Sequence, residues 1–211
     1  MKRKRQLDAP QPYLDSDFGK ELNFQLWATK GSRFHGARRL EAKHRWSNYA
    51  IVALAMYVFA INLMPIFQLP VGIPFSDNSV RLATVLMSIF LLIITQIESS
   101  KQYNLRAKEL HDCALEIGEL YRELRRIRTC NGSGSSEKRI KEIAVSYGQI
   151  LRQCSNHEQI DFLYFQTTKN EYFKIGLIER LRILLLSYLK TWFFYHVAIV
   201  LPPTVYLLIR L

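Results

Sequence analysis

From Ala50 to Leu69 the chain runs for 20 residues without a charged side chain. A helix in a water-soluble protein has to wet one face, so an uncharged run of this length reads as a span solvated by lipid. Elsewhere the chain is rich in charge, with 29 Lys and Arg against 18 Asp and Glu and a net charge of +11. Charge and oil are segregated along the sequence. At 49% hydrophobic residues, acidic, disordered, collagen-like and disulfide-scaffold classes are excluded.

The first span is expected over Asn48 to Leu69, with Pro65 kinking it or ending it early. The segment FQLPVGIPFSDNS carries turn residues and reads as a short loop. A second span, VRLATVLMSIFLLIITQI, covers Val80 to Ile97, near the minimum needed to cross about 30 Å of hydrocarbon at about 1.5 Å per residue. Together residues 48–97 form a transmembrane hairpin. Eleven Lys and Arg precede the first span and 14 lie between Lys101 and Arg180, while the connecting loop has none before Arg81. Both ends of the hairpin are therefore expected to face the cytosol. The N-terminal MKRKRQLDAP is followed by polar sequence, which argues against a cleaved signal peptide. Thr191 to Ile209 has no formal charge over 19 residues and reads as a third crossing, with a buried or re-entrant segment as the alternative. Pro202 and Pro203 there remove two N–H donors that neighbouring helices or water must compensate.

The remaining regions divide by pattern. Residues 1–19 read as a flexible basic tail and 20–47 as an amphipathic basic helix, in which Leu22, Trp27, Phe34 and Leu40 alternate with cations. That helix either lies on the membrane surface or packs on cytosolic helices. In 98–156, Tyr103, Leu110, Ile117 and Leu124 recur every seven residues, with Cys113, Leu120 and Ile127 offset by three. These are the core positions of a coiled coil, expected to continue directly from the second membrane helix. The linker CNGSGSS, Cys130 to Ser136, permits reversal, and Ile140, Ile143, Tyr147, Ile150 and Cys154 supply a returning strand. The aromatic run Phe162, Tyr164, Phe165, Tyr172 and Phe173 suits either burial or the bilayer interface, and 157–211 is assigned to C-terminal helices. The fold class is an all-α membrane protein: a transmembrane hairpin with an amphipathic N-terminal helix, cytosolic antiparallel coiled-coil helices and a third C-terminal hydrophobic helix.

No phosphate-binding loop, dinucleotide fingerprint, nucleophile elbow or zinc-protease motif is present, so catalytic residues, cofactor and metal ligands are all assigned as none and the chain is expected not to be an enzyme. Cys113, Cys130 and Cys154 lie far apart and read as reduced thiols filling a core. His196, inside the third apolar run, is read as a neutral imidazole bonded to a helix carbonyl, or as a functional group. Lys30, Arg33, Arg38 and Arg39 form the candidate basic contact surface. Tyr103, Leu110, Cys113, Ile117, Leu120, Leu124 and Ile127 form the candidate assembly seam of a homo-oligomer. Surplus positive charge beside apolar segments points to anionic lipid, and direct nucleic-acid contact, with Trp27 or Phe34 stacking on bases, is the less favoured use.

The segment LWATKGSRFHGARRLEAKHRWSN, a two-span hairpin, and then SSKQYNLRAKELHDCALEIGELYRELR together resemble the SLATT family of bacterial two-transmembrane effector proteins. The likeness rests on Trp27, Thr29, Lys30, Arg33, Phe34, Arg38, Arg39 and Leu40 before the hairpin, and on Tyr103, Arg106, Ala107, Leu110 and His111 after it. It is closest to the branch found beside reverse-transcriptase genes in phage-defence loci. The resemblance implies an effector that oligomerises in the inner membrane and, once triggered, compromises it to arrest or kill the cell. It also implies a reverse transcriptase as a candidate partner.

Overall fold

A computed structural model describes residues 17–67, 77–129 and 135–210. The helices are α1 Phe18–Ile66, α2 Asp77–Ser100, α3 Tyr103–Thr129, α4 Ser135–Gln153, α5 Gln159–Thr168, α6 Asn170–Phe173, α7 Leu177–Tyr188 and α8 Phe194–Arg210, with a π-helical turn over Leu189–Phe193 between the last two. No strand occurs among the described residues. Residues 1–16 of the expected tail, the loop at 68–76 and the linker at 130–134 lie outside the described residues. Of the expected tail only Asp17 to Gly19 are described, and they start α1: the Asp17 Oδ1 accepts the Lys20 N–H at 2.8 Å, satisfying one of the donors a helix start leaves open.

The chain divides into two compact units, one drawing on α1 as far as Arg39 and on Leu105–Ser187, the other on Leu40–Asn104 and the residues from Tyr188 onward. In the first unit, Leu22 and Leu26 of α1, Cys113, Ile117 and Leu124 of α3, and Ile143 and Tyr147 of α4 form one buried cluster. Helices α3 and α4 run antiparallel, as the sequence pattern expects. A short linker joins their near ends, and a disulfide joins Cys113 to Cys154, with Cα atoms 6.3 Å apart, toward their far ends. This bond corrects the expectation of reduced thiols: Cys113 is buried and Cys154 packs partly buried against the same core, and the pairing of the two helices brings them together. Closing a 41-residue separation, it restricts the unfolded chain and stabilises the unit by about 4 kcal/mol on the chain-entropy account.

Helix α5 packs on a face of α1 opened by glycine. A Cβ at Gly31 would occupy the space of the Phe165 ring, and one at Gly36 would come to 3.0 Å from the Asp161 carboxylate. Of the aromatic run, Phe165 is buried, Phe162, Tyr164 and Phe173 are partly buried and Tyr172 stays 45% exposed; the Trp27 ring centroid lies 4.9 Å from Phe165, 5.2 Å from Tyr172 and 5.9 Å from Phe173.

One expected continuity is absent. The coiled-coil helix does not extend the second membrane helix, because α2 ends at Ser100 and Gln102 adopts a left-handed φ of 47°. The Lys101 and Gln102 amides bond back to the Glu98 and Ser99 carbonyls at 3.3 and 3.2 Å, tightening the last turn. Neither glycine nor proline marks the break, so local sequence carries no signal for it.

In the second unit α8 stays helical through Pro202 and Pro203. Proline at position 203 leaves the Ile199 carbonyl without its helical donor, and the Tyr57 hydroxyl of α1 donates to that carbonyl at 2.9 Å. A neighbouring helix thus supplies the compensation that an intramembrane proline requires. Tyr57→Phe is expected to orphan the carbonyl and cost about 1 kcal/mol, read as a lower thermal midpoint in detergent. An unchanged midpoint would argue that water already serves the carbonyl.

Candidate functional site

The four candidate contact cations do not share a surface. Arg38 alone is exposed, Lys30 is half-buried with its Nζ 4.4 Å from the centre of the Tyr121 ring, and Arg33 and Arg39 are buried at 2% and 8% exposure. The expected basic surface is corrected accordingly. Helical spacing puts Arg39 on the side of α1 that α5 covers and Arg33 on the side that α3 covers.

Arg39 sits in a built acidic cradle. Its Nε donates to Asp161 Oδ1 at 2.7 Å and its Nη2 to Asp161 Oδ2 at 3.1 Å, and Nη2 also reaches Glu158 Oε1 at 2.9 Å. Asp161 Oδ2 accepts the Glu158 backbone N–H at 3.0 Å, so one carboxylate both caps α5 and clamps α1. Burial would lower the Arg39 pKa, but the hydrogen bonds and charges of Asp161 and Glu158 outweigh it and raise the value. Arg33 is handled differently. It donates to the Cys113 sulfur in a close contact, its Nε has no hydrogen-bond partner among the described residues, and burial lowers its pKa. Burial likewise lowers the pKa of His35 and of His157 nearby, holding both toward the neutral form. Trp27 packs as described above, and Phe34 meets His111 edge-on at 5.4 Å, so each proposed stacking ring already has a protein partner.

The candidate assembly seam is also accounted for inside the chain. Leu110, Cys113, Ile117 and Leu124 are buried, Leu120 and Ile127 pack against the same core, and Tyr103 belongs to the second unit. The heptads are met by α1 and α4 of the same chain, which corrects their reading as a seam between copies.

In the second unit the notable feature is bareness. Among the described residues, three helical runs are long and apolar enough to cross a membrane, and in the one beginning at Arg81 only 6% of the apolar window is buried by the rest of the protein. Leu82, Val85, Leu86, Ile89, Phe90, Leu92 and Ile93 are all exposed. An apolar surface of this extent requires lipid or another protein against it. The span hydroxyls are satisfied locally: Thr84, Ser88 and Thr95 each donate to a carbonyl of their own helix at 2.8 Å. At the charged end of the spans, Glu98 of α2 binds Ser47 of α1 at 2.9 Å and Tyr195 of α8 at 3.0 Å and pairs with Lys101. One carboxylate therefore staples all three runs. His196 accepts from or donates to the Tyr188 hydroxyl at 2.9 Å and packs on Trp46 at 4.3 Å, in place of the expected helix carbonyl.

The model of the SMODS and SLOG-associating 2TM effector domain family 5 matches residues 15–209. The chain belongs to this family. No curated protein and no solved structure matches it. The match runs through the third apolar helix as well as the two-span hairpin, so in this SLATT protein α1, the hairpin, the buried core and α8 all fall within one family domain. Asp161, Glu158 and Glu98 belong to no reactive sequence motif. The signal for the first two was local, since Glu158 and Asp161 have the three-residue spacing of a helix capping box.

Proposed function

We propose that this SLATT protein is a non-enzymatic membrane effector of a bacterial defence system, which assembles in several copies in the inner membrane and, once triggered, makes it leaky. Arrest or death of the infected cell, a form of abortive infection, is the consequence. The observation that carries the reading is α2: an apolar helix left almost bare by its own chain packs against lipid or another protein, read here as further copies of the chain. Because the hydroxyls of that span are spent on their own backbone, a single copy offers little polar lining, and a pore calls for several copies or for disturbed lipid. The positive-inside rule places the first unit on the cytosolic side, where it would receive the trigger.

The alternative, a membrane-tethered subunit that holds a reverse transcriptase or nucleic acid, has less to work with, since Arg33 and Arg39 are buried. Induced expression in cells loaded with a potential-sensitive dye separates the two. Depolarisation before growth stops is the expected result, and growth arrest at an intact membrane potential would overturn the proposal. Retention of toxicity after the spans are replaced by a generic anchor would favour the tethered subunit.

A further inference from the structure

Where the apolar runs of the second unit reach charged sequence, they enclose a cavity of about 380 Å³, within the size range of small-ligand sites. Its polar lining comprises Lys43, Lys101, Lys190, Tyr103, Tyr195 and Thr191. The lining thus carries three lysines against a single carboxylate, Glu98, which pairs with Lys101. Ile94 and Ile97 of α2, with Leu189 and Phe194, make the rest of the wall apolar, and these residues continue into the membrane-facing helices.

Two further features mark the cavity as a ligand site. Thr191 is 2% exposed, and its Oγ1 is buried with no hydrogen-bond partner among the described residues. A helical threonine usually returns its hydroxyl to a carbonyl one turn back, as Thr84 and Thr95 do here, so Thr191 is held in an arrangement that its own chain does not satisfy. It also sits at the centre of the π-helical turn Leu189–Phe193, a distortion that recurs at functional sites.

The geometry points to a binding site for the phosphate headgroup of an anionic phospholipid, whose acyl chains leave along Ile94, Ile97 and Phe194. Lysines at the ends of uncharged helices lie at headgroup depth, with their stems against hydrocarbon and their ammonium groups toward phosphate. The mixed wall fits an amphiphile better than a soluble anion. The site stands on the membrane fold and not on the effector reading, so its test is a binding measurement and not a toxicity assay.

The full chain in detergent is titrated with phosphatidylglycerol and separately with phosphatidylcholine, and retention is read by native mass spectrometry. Phosphatidylglycerol is expected to be held at least about tenfold more tightly. The double variant Lys43→Gln/Lys190→Gln should lose most of that preference. Thr191→Val, which preserves side-chain shape, should weaken binding by about threefold to tenfold. Lys138→Gln/Lys141→Gln removes equal charge from α4 and should change nothing. Equal retention of the two lipids by the unmodified chain would overturn the site, whatever the folding of the variants. So would an equal loss in the α4 control, or displacement of the lipid by inorganic phosphate at the same concentration.

Discussion

Asp161→Ala is expected to destabilise the first unit by about 3–5 kcal/mol, the cost of leaving a buried cation without its partner. The loss is large because Asp161 does two things at once. It neutralises Arg39 through two hydrogen bonds, and it accepts the Glu158 amide at the start of α5. Glu158, more exposed than Asp161, can take over only part of the charge. Denaturant unfolding followed by tryptophan fluorescence reads the effect, since Trp27 packs directly on Phe165 of α5. Replacing both partners, Arg39→Met with Asp161→Leu, should recover much of the loss, because an apolar pair of similar size carries no desolvation penalty. A cost for Asp161→Ala below about 1 kcal/mol, the range of exposed ion pairs, would mean that water reaches Arg39 and that the pair is a surface feature.

Ile117→Asp should unfold the first unit outright. The side chain is fully buried among α1, α3 and α4, and an uncompensated carboxylate there costs several kcal/mol against a domain stability of about 5–15 kcal/mol. Leu115→Asp, two residues away on a face that is 48% exposed, is expected to stay within about 0.5 kcal/mol of the unmodified protein. Circular dichroism and size measurement in detergent distinguish the outcomes. A folded Ile117→Asp protein that has merely lost its oligomeric state would return the heptad face to the role of an interface between copies.

These substitutions also mark how far pattern reading reaches. The apolar runs were legible because lipid tolerates no charge over about 20 residues, and the α3 and α4 hairpin was legible because buried positions recur with the period of a coiled coil. What covers those positions was not legible. Leu110, Ile117 and Leu124 repeat in the same way whether α1 of the same chain or a second copy lies against them. Arg33 and Arg39 looked like surface cations because burying a charge is costly, and only the opposing Asp161 and Glu158, more than a hundred residues later in the chain, make the burial of Arg39 affordable. Cys113 and Cys154 were each recognisable as core residues, while their proximity depended on how two helices lie together. The break at Gln102 and the orphaned hydroxyl of Thr191 left no trace in composition or period.

The order of residues by itself determined that this protein is helical, that it meets a membrane and where charge gives way to oil, since these follow from local composition and from periodicities of a few residues. Only the tertiary structure decided which helix fills the heptad face, which cations are neutralised, how the Ile199 carbonyl is satisfied and where lysines gather around a cavity. Those outcomes depend on contacts between distant segments, and the free energy of a buried group is set by the partner it meets rather than by its neighbours along the chain.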